Sequence, residues 1–357
     1  MAQIDQYLTM MLEGDGSDLH LMAGDPPRMR QYGDLQNLSD SPLTADQTRE
    51  IIDEIFTPEA RKQFEEHDGA DFAYQLNEQA RFRVNVLRHL NGVGTVMRAI
   101  PGDALTLDDL KAPRAIRNLC KEKQGLVLVT GKTGSGKSTT LAAMINEINE
   151  TRKGHILTIE DPVEFTHKRK GCLISQREVG VHTHSFSAAL KSALREDPDV
   201  ILVGEMRDLE TMSIAVTAAE TGILVMGTLH TNSAAATVDR IINTFPADKQ
   251  GHIRSMLSTS LRGVIAQQLL KRVDQKGRVA AMEIMINNSA IGNLIRQGKL
   301  DQIETSMQGA AQAGMQTMDG ALKRLVQRRQ ITGEDAYLKA NHKSAFKEFA
   351  PPGAEDD

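Results

Sequence analysis

The residues best suited to chemistry begin with Gly131-Lys132-Thr133-Gly134-Ser135-Gly136-Lys137-Ser138, an instance of GxxxxGK[ST], with Thr139 following. Glycines at these positions let the backbone curl until successive N–H groups face one anion, and a helix predicted over 138–149 adds its positive end. Lys137 then brings an ammonium to the β- and γ-phosphates of a nucleotide, and the Ser138 hydroxyl is a ligand for Mg²⁺. The short pattern alone also produces chance matches. Here the apolar run Gly125–Thr130 precedes it and a helical segment follows, which is the context that a phosphate cradle requires.

A cradle alone hydrolyses nothing. Phosphoryl transfer also needs a metal anchor, a group that orients water and compensation for charge on the γ-phosphate. In α/β sheets these groups come from the carboxyl ends of strands. After the run Ile156–Ile159 stand Glu160-Asp161-Pro162-Val163-Glu164, three carboxylates on a loop that Pro162 keeps irregular. They read either as a water-polarising group or as a solvated acidic loop. After Val200–Val203 comes Glu205, in the position of a Walker-B carboxylate; the competing reading is an ion pair with Arg207. After Ile223–Gly227 comes His230, either a γ-phosphate contact or a structural histidine. Arg81 and Arg83, two apart on one predicted strand, share a face, and Arg98 ends the next strand. They read as a solvated strand face or as arginines that reach a phosphate in a neighbouring subunit.

These residues must be positioned by elements, and the pattern changes once along the chain. Residues 1–98 predict a small α+β module. It has helices over 4–13, 44–56 and 58–67, and strands over 18–22, 28–31, 72–76, 80–87 and 92–98. Residues 99–110 carry Pro101 and Gly102 and are expected to link two domains. From 111 to 345, apolar strands alternate with helices, the signature of a parallel sheet covered on both faces. Arg278–Ile286 predicts a last hairpin arm, 289–340 is mostly helical in pattern, and 346–357 is expected to be a disordered tail.

Composition excludes several classes. Lys plus Arg number 42 against 47 Asp plus Glu, a net charge of −5, which argues against a protein that coats nucleic acid. Two cysteines, Cys120 and Cys172, build neither a disulfide framework nor a zinc site, and two free thiols are expected. The N-terminus has no basic segment before an apolar run, and no stretch reaches the roughly 18 apolar residues of a membrane span. A cytoplasmic location is expected.

Taken in order, GKTGSGKST, TIEDPVEF, REDPDVILVGEMRDLET, AAETG and GTLHTNSA resemble the secretion-ATPase superfamily, most closely its PilT-type retraction ATPases of type IV pili. The resemblance runs from SDLHL (17–21) to GMQTMD (314–319). It implies a PAS-like N-terminal domain, a RecA-like ATPase domain with C-terminal helices, and a ring-shaped homohexamer with ATP sites between subunits. It further implies an ATP-hydrolysing, Mg²⁺-dependent motor acting peripherally on a platform protein of the inner membrane, with a paralogous retraction ATPase as a second expected partner. Carried over residue by residue, Lys137 and Ser138 are the Walker-A residues. Glu160, Asp161 and Glu164 form the aspartate box, with Glu164 in the place of the base. Glu205 is the atypical Walker-B glutamate, and His230 belongs to the histidine box. Arg81, Arg83 and Arg98 fall where the N-terminal domain contributes arginines. Ser138, Glu160 and Glu205 are then the expected metal ligands.

One departure stands out. Where the PilT type carries AIRNLIRE, this chain has Ala290–Gln297 as AIGNLIRQ, so Gly292 replaces an arginine and Gln297 the closing glutamate. Because no phosphate-site residue changes, ATP hydrolysis is expected to survive these two replacements, which point to an accessory retraction ATPase as an alternative. Assembly and secretion ATPases of the same superfamily carry a four-cysteine metal site that two cysteines cannot make.

Overall fold

A computed structural model describes residues 2–31, 34–77, 80–100, 104–274 and 277–351. The chain divides into two compact units: Met1–Asp103 with Glu164–Thr166, and Ala104–Val163 with His167–Asp357.

Among the described residues, the first unit holds α1 (Ile4–Glu13), α2 (Ala45–Asp53) and α3 (Pro58–His67). Its strands are β1 (Asp18–Met22), β2 (Arg28–Gln31), β3 (Asp34–Asn37), β4 (Gly69–Asn77), β5 (Ala80–His89) and β6 (Gly92–Ile100). Local chemistry sets the helix starts. Thr44 and Gln47 cap α2 reciprocally, and Pro58 opens α3 behind the Thr57 cap. The strands form one antiparallel sheet in the order β3-β2-β1-β6-β5-β4. Alternation divides β5 between two faces: Phe82, Val84 and Val86 enter the core, while Arg81, Arg83 and Asn85 lie on the other face. The strand β3 was absent from the expectation. All four of its residues are exposed, so no apolar alternation announces it. Ala99 and Ile100, expected in a linker, continue β6 opposite Phe82 and Arg81; residues 101–103 of that linker lie outside the described residues.

Among the described residues, the second unit holds β7 (Gly125–Thr130), β8 (His155–Glu160), β9 (Leu173–Glu178), β10 (Val200–Val203), β11 (Leu224–Leu229), β12 (Leu261–Lys271) and β13 (Arg278–Ile286). Its helices are α4 (Arg114–Leu119), α5 (Lys137–Thr151), α6 (Phe186–Ala193), α7 (Leu209–Glu220), α8 (Ala234–Thr244), α9 (Ala247–Ser260), α10 (Ser289–Gln297), α11 (Ile303–Gly309), α12 (Met318–Gln327) and α13 (Gly333–Lys339). The sheet order is β13-β12-β7-β11-β10-β8-β9, parallel except for the antiparallel β12–β13 pair. Successive residues of β7 enter different cores: Leu126 and Leu128 pack on one face, Val127 and Val129 on the other. That is why GLVLVT is apolar without alternation. Each such buried side chain stabilises the fold by about 1.5–3 kcal/mol. The fold is α/β, as expected.

Two strands escaped the sequence reading. The strand β9 (LISQRE) is a polar edge, and the apolar run of β12 is broken by Gly263, Gln267 and Gln268. The expected disorder from residue 346 also needs correction. Lys343–Phe349 forms a 3-10 turn, and Phe346 is buried beside Leu322, Ile331 and Ala336. An aromatic ring supplies the apolar area that a polar tail lacks; residues 352–357 lie outside the described residues. Cys120 and Cys172 are buried free thiols, and burial pushes Cys120 up to about 12.

A buried carboxylate ties the sheet to two helices. Glu283 of β13 accepts the Ala234 N–H at 2.7 Å and the Met318 N–H at 3.2 Å, at the first residues of α8 and α12. Burial raises its pKa, while those two hydrogen bonds oppose the shift. Replacing Glu283 by glutamine keeps the shape but turns an NH₂ group toward a helix N–H. The variant is expected to lose about 1–3 kcal/mol in chemical denaturation; unchanged stability would show that the two helices do not depend on this carboxylate.

Candidate active site

Parallel register brings the motifs together. Thr130 at the end of β7 lies opposite Leu229 of β11, and Val203 of β10 lies opposite both Gly227 and Ile159. The segments that follow these strands therefore emerge at one sheet edge: the glycine-rich loop, His230, Glu205 and Glu160. Two hydrogen bonds, one of them from a side chain, tie the segment after β10 to the end of β11. Met206 N–H donates to the Thr228 carbonyl at 3.0 Å, and the Thr228 hydroxyl to the Gly204 carbonyl at 2.5 Å.

The loop itself is shaped by close approach. Gly131 has φ +140°, and a Cβ there would strike the Gln267 carbonyl; Gly136, at φ +86°, would set a Cβ 2.8 Å from Gln267 Nε2. Behind it α5 runs for 15 residues and directs the N-terminal end of its dipole at the loop. Lys137 Nζ donates to the Gly131 carbonyl at 2.8 Å and the Lys132 carbonyl at 3.3 Å. Burial lowers the lysine pKa, and the attraction of Glu205 resists that shift. Ser138 lies in the first turn of the helix.

Glu205 is gripped from two sides. Arg207 forms a bidentate pair with it, Nε to Oε1 at 2.5 Å and Nη2 to Oε2 at 2.6 Å, and His230 Nε2 lies 2.9 Å from Oε1. Burial works to raise the Glu205 pKa, but the Arg207 hydrogen bond and the charges of Arg207 and His230 outweigh it and hold the carboxyl below its usual range. The ion pair with Arg207 and the strand-end placement thus coexist. The Arg207 side chain is 71% exposed, so the pair is worth only about 0–1 kcal/mol and yields readily to another partner.

Glu160 faces elsewhere, accepting from the Thr158 hydroxyl at 2.7 Å and Gln176 Nε2 at 3.3 Å. Glu164 is exposed and groups with the first unit, so the geometry of the second unit does not include it. In the first unit, Arg83 and Arg98 are cross-strand partners, while Arg81 lies opposite Ile100. A cavity of about 310 Å³ is lined by Asp18, Asp71, Arg83, Asn85, Val96 and Arg98. Arg98 pairs closely with buried Asp18, at 2.7 Å, whereas Arg83 reaches Asp71 only at 3.9 Å.

Sequence reasoning missed the supports. Thr237 of α8 lies 2.7 Å from the Thr231 hydroxyl and 3.4 Å from that of Thr130, joining the His230 segment to the strand before the glycine-rich loop. Gln267 of β12 contacts the loop directly. A glutamine inside an apolar strand was the available signal for it.

The chain matches the family described as type II/IV secretion system protein over residues 2–345. It is 51% identical over 337 residues to the type IV pilus retraction ATPase PilT of Pseudomonas aeruginosa, covering 94% of this chain and 98% of that one. It is 41% identical over 355 residues to the type IV pilus ATPase PilU of the same organism, covering 99% and 93%. A crystal structure of the pilus retraction motor PilT with bound ADP superposes with a TM-score of 0.91 at 43% identity, covering 98% of this chain and all of the other.

Proposed function

Because the chain belongs to the type II/IV secretion system protein family, which it matches over residues 2–345, we propose that it is an ATP-hydrolysing motor that powers type IV pilus retraction. The observation that carries this reading is the meeting of Lys137, Glu205 and His230 at one sheet edge. The glycine-rich loop, Gly131–Thr139, binds the phosphates. Lys137 offsets their charge, and Glu205 with His230 forms a polar pair where the γ-phosphate is held. Ser138 and Glu205 would hold Mg²⁺ through their side-chain oxygens, and the metal would offset charge on the bound phosphates. Glu160, bonded to Thr158 and Gln176, serves as an outer support of that site. Glu164 orients the attacking water. Arg81, Arg83 and Arg98 complete a neighbouring subunit's site in a homohexamer; the Arg83 and Arg98 side chains are 47% and 70% exposed, which leaves both within reach of a ligand.

Hydrolysis then moves domains against one another, a two-state rearrangement biased by nucleotide, and the ring acts on a platform protein at the cytoplasmic face of the inner membrane. Among the described residues no helix is long and apolar enough to cross a membrane. Deleting the gene is expected to leave cells hyperpiliated and unable to twitch, scored by counting surface pili; bald cells would instead make the protein an assembly motor.

One observation favours an accessory, PilU-like role. Gly292 sits where a Cβ would come 2.9 Å from the Ser258 carbonyl of α9, so α10 packs closely at the point where the PilT motif has arginine. In that case deletion changes retraction only under load or beside a second retraction ATPase.

A further inference from the structure

The phosphate loop has a partner outside its own motif. The parallel register sets Ala266 of β12 opposite Thr130 of β7, so Gln267 falls level with Gly131, the first residue of the loop. The preceding residue on the same face, Ile265, packs in the apolar core with Val127, Val129 and Leu141. An apolar residue is therefore the expected continuation at 267. A glutamine stands there instead, 3% exposed.

Burying a primary amide is costly unless both of its ends are satisfied. Here they are. The Thr140 hydroxyl of α5 donates to Gln267 Oε1 at 2.7 Å, and Gln267 Nε2 donates to the Ser135 carbonyl at 2.7 Å. Thr140 lies in the first turn of the helix, and Ser135 at the crown of the loop that leads into it. One rigid side chain thus fixes the loop relative to the helix whose N–H groups complete the anion site. Close approaches at Gly131 and Gly136 complete the same brace, since neither position has room for a Cβ against Gln267.

We propose that Gln267 is a positioning residue for nucleotide binding, a buried amide that ties the Ser135 carbonyl to the Thr140 hydroxyl and keeps the loop N–H groups aimed at phosphate. The inference rests on the reading of Gly131–Ser138 as a nucleotide site. Gln267 touches no reacting atom, so it acts on affinity more than on turnover. Its orientation is specific. A glutamate would set an oxygen against the Ser135 carbonyl, and a leucine would leave both Ser135 O and Thr140 Oγ1 without their partner.

The test uses the full chain, with fluorescent ADP titration, steady-state ATPase assays and thermal melts with and without ADP. Gln267→Leu and Thr140→Val are each expected to weaken ADP and raise KM for ATP by roughly tenfold or more, with kcat falling less. Combined, they should cost little more than either alone, because both break one brace. Thr140→Ser, which restores the hydroxyl, should bind ADP like the parent chain. Melting temperatures without ADP should fall by the few degrees that a lost buried hydrogen bond costs, and the stabilisation conferred by ADP should shrink besides, a second loss that a purely structural glutamine does not produce. Should Gln267→Leu fail to fold, the Thr140→Val and Thr140→Ser pair decides alone. Unchanged ADP affinity and KM in Thr140→Val, or an equal loss in Thr140→Ser, would overturn the proposal. If the parent chain itself binds no ADP, the nucleotide reading falls first and this one with it.

Discussion

Lys137→Ala is expected to weaken ATP binding by about a hundredfold or more and to bring phosphate release to background. The reason is electrostatic. The ammonium is partly buried, so its charge is poorly screened and its attraction for a polyanion is large. A charge-assisted hydrogen bond contributes about 1.5–3 kcal/mol, and the upper end corresponds to roughly a hundredfold in affinity. Among the described residues the lysine donates to two carbonyls of its own loop, so the fold depends on it far less than a bound polyanion would. Melting without nucleotide should hardly change, which separates a missing ligand interaction from a damaged fold. A variant that still binds nucleotide like the parent chain would remove the foundation of the functional reading.

The second large effect concerns the carboxylates. Glu205→Gln is expected to lower kcat by about two to three orders of magnitude while leaving ADP bound, as removal of one preorganised electrostatic group does. Glutamine preserves the volume but ends the bidentate pair with Arg207 and removes the negative charge beside Lys137 and His230. The pH dependence of stability follows from the lowered pKa. With a folded value below the unfolded 4.5, the contribution of Glu205 is complete above 4.5 and is lost as pH falls through the folded value. Parent and variant should therefore differ in stability at neutral pH and converge in acid. Glu164→Gln, tested beside it, should also release no phosphate while binding ATP. If Glu164→Gln turns over normally and Glu205→Gln does not, another group orients the water.

Much of this site was legible from local pattern. The phosphate loop is a contiguous motif, and a strand–loop–helix unit needs only its own residues to define its geometry. Glu205 and His230 were legible for a related reason, since each follows directly on an apolar strand and parallel strands deliver their ends to one edge. The arginines were legible as a pair on one face of β5, because the strand period assigns faces without reference to a partner.

What the sequence determined by itself was therefore the placement of residues in contiguous segments: a glycine-rich loop, the carboxylates and histidine at strand ends, and an α/β core. Only the tertiary structure decided who stands behind whom. Gln267 lies 132 residues from Ser135, and Glu283 lies 49 from Ala234, and no local period links positions so far apart. It also decided that Glu205 engages Arg207 and His230 together, that Glu160 turns toward Thr158, and that Phe346 anchors a segment whose composition reads as a tail. The physical reason is common to all of them. Local propensity acts over a few residues, whereas burial and hydrogen-bond satisfaction are settled among whatever elements the sheet order makes neighbours.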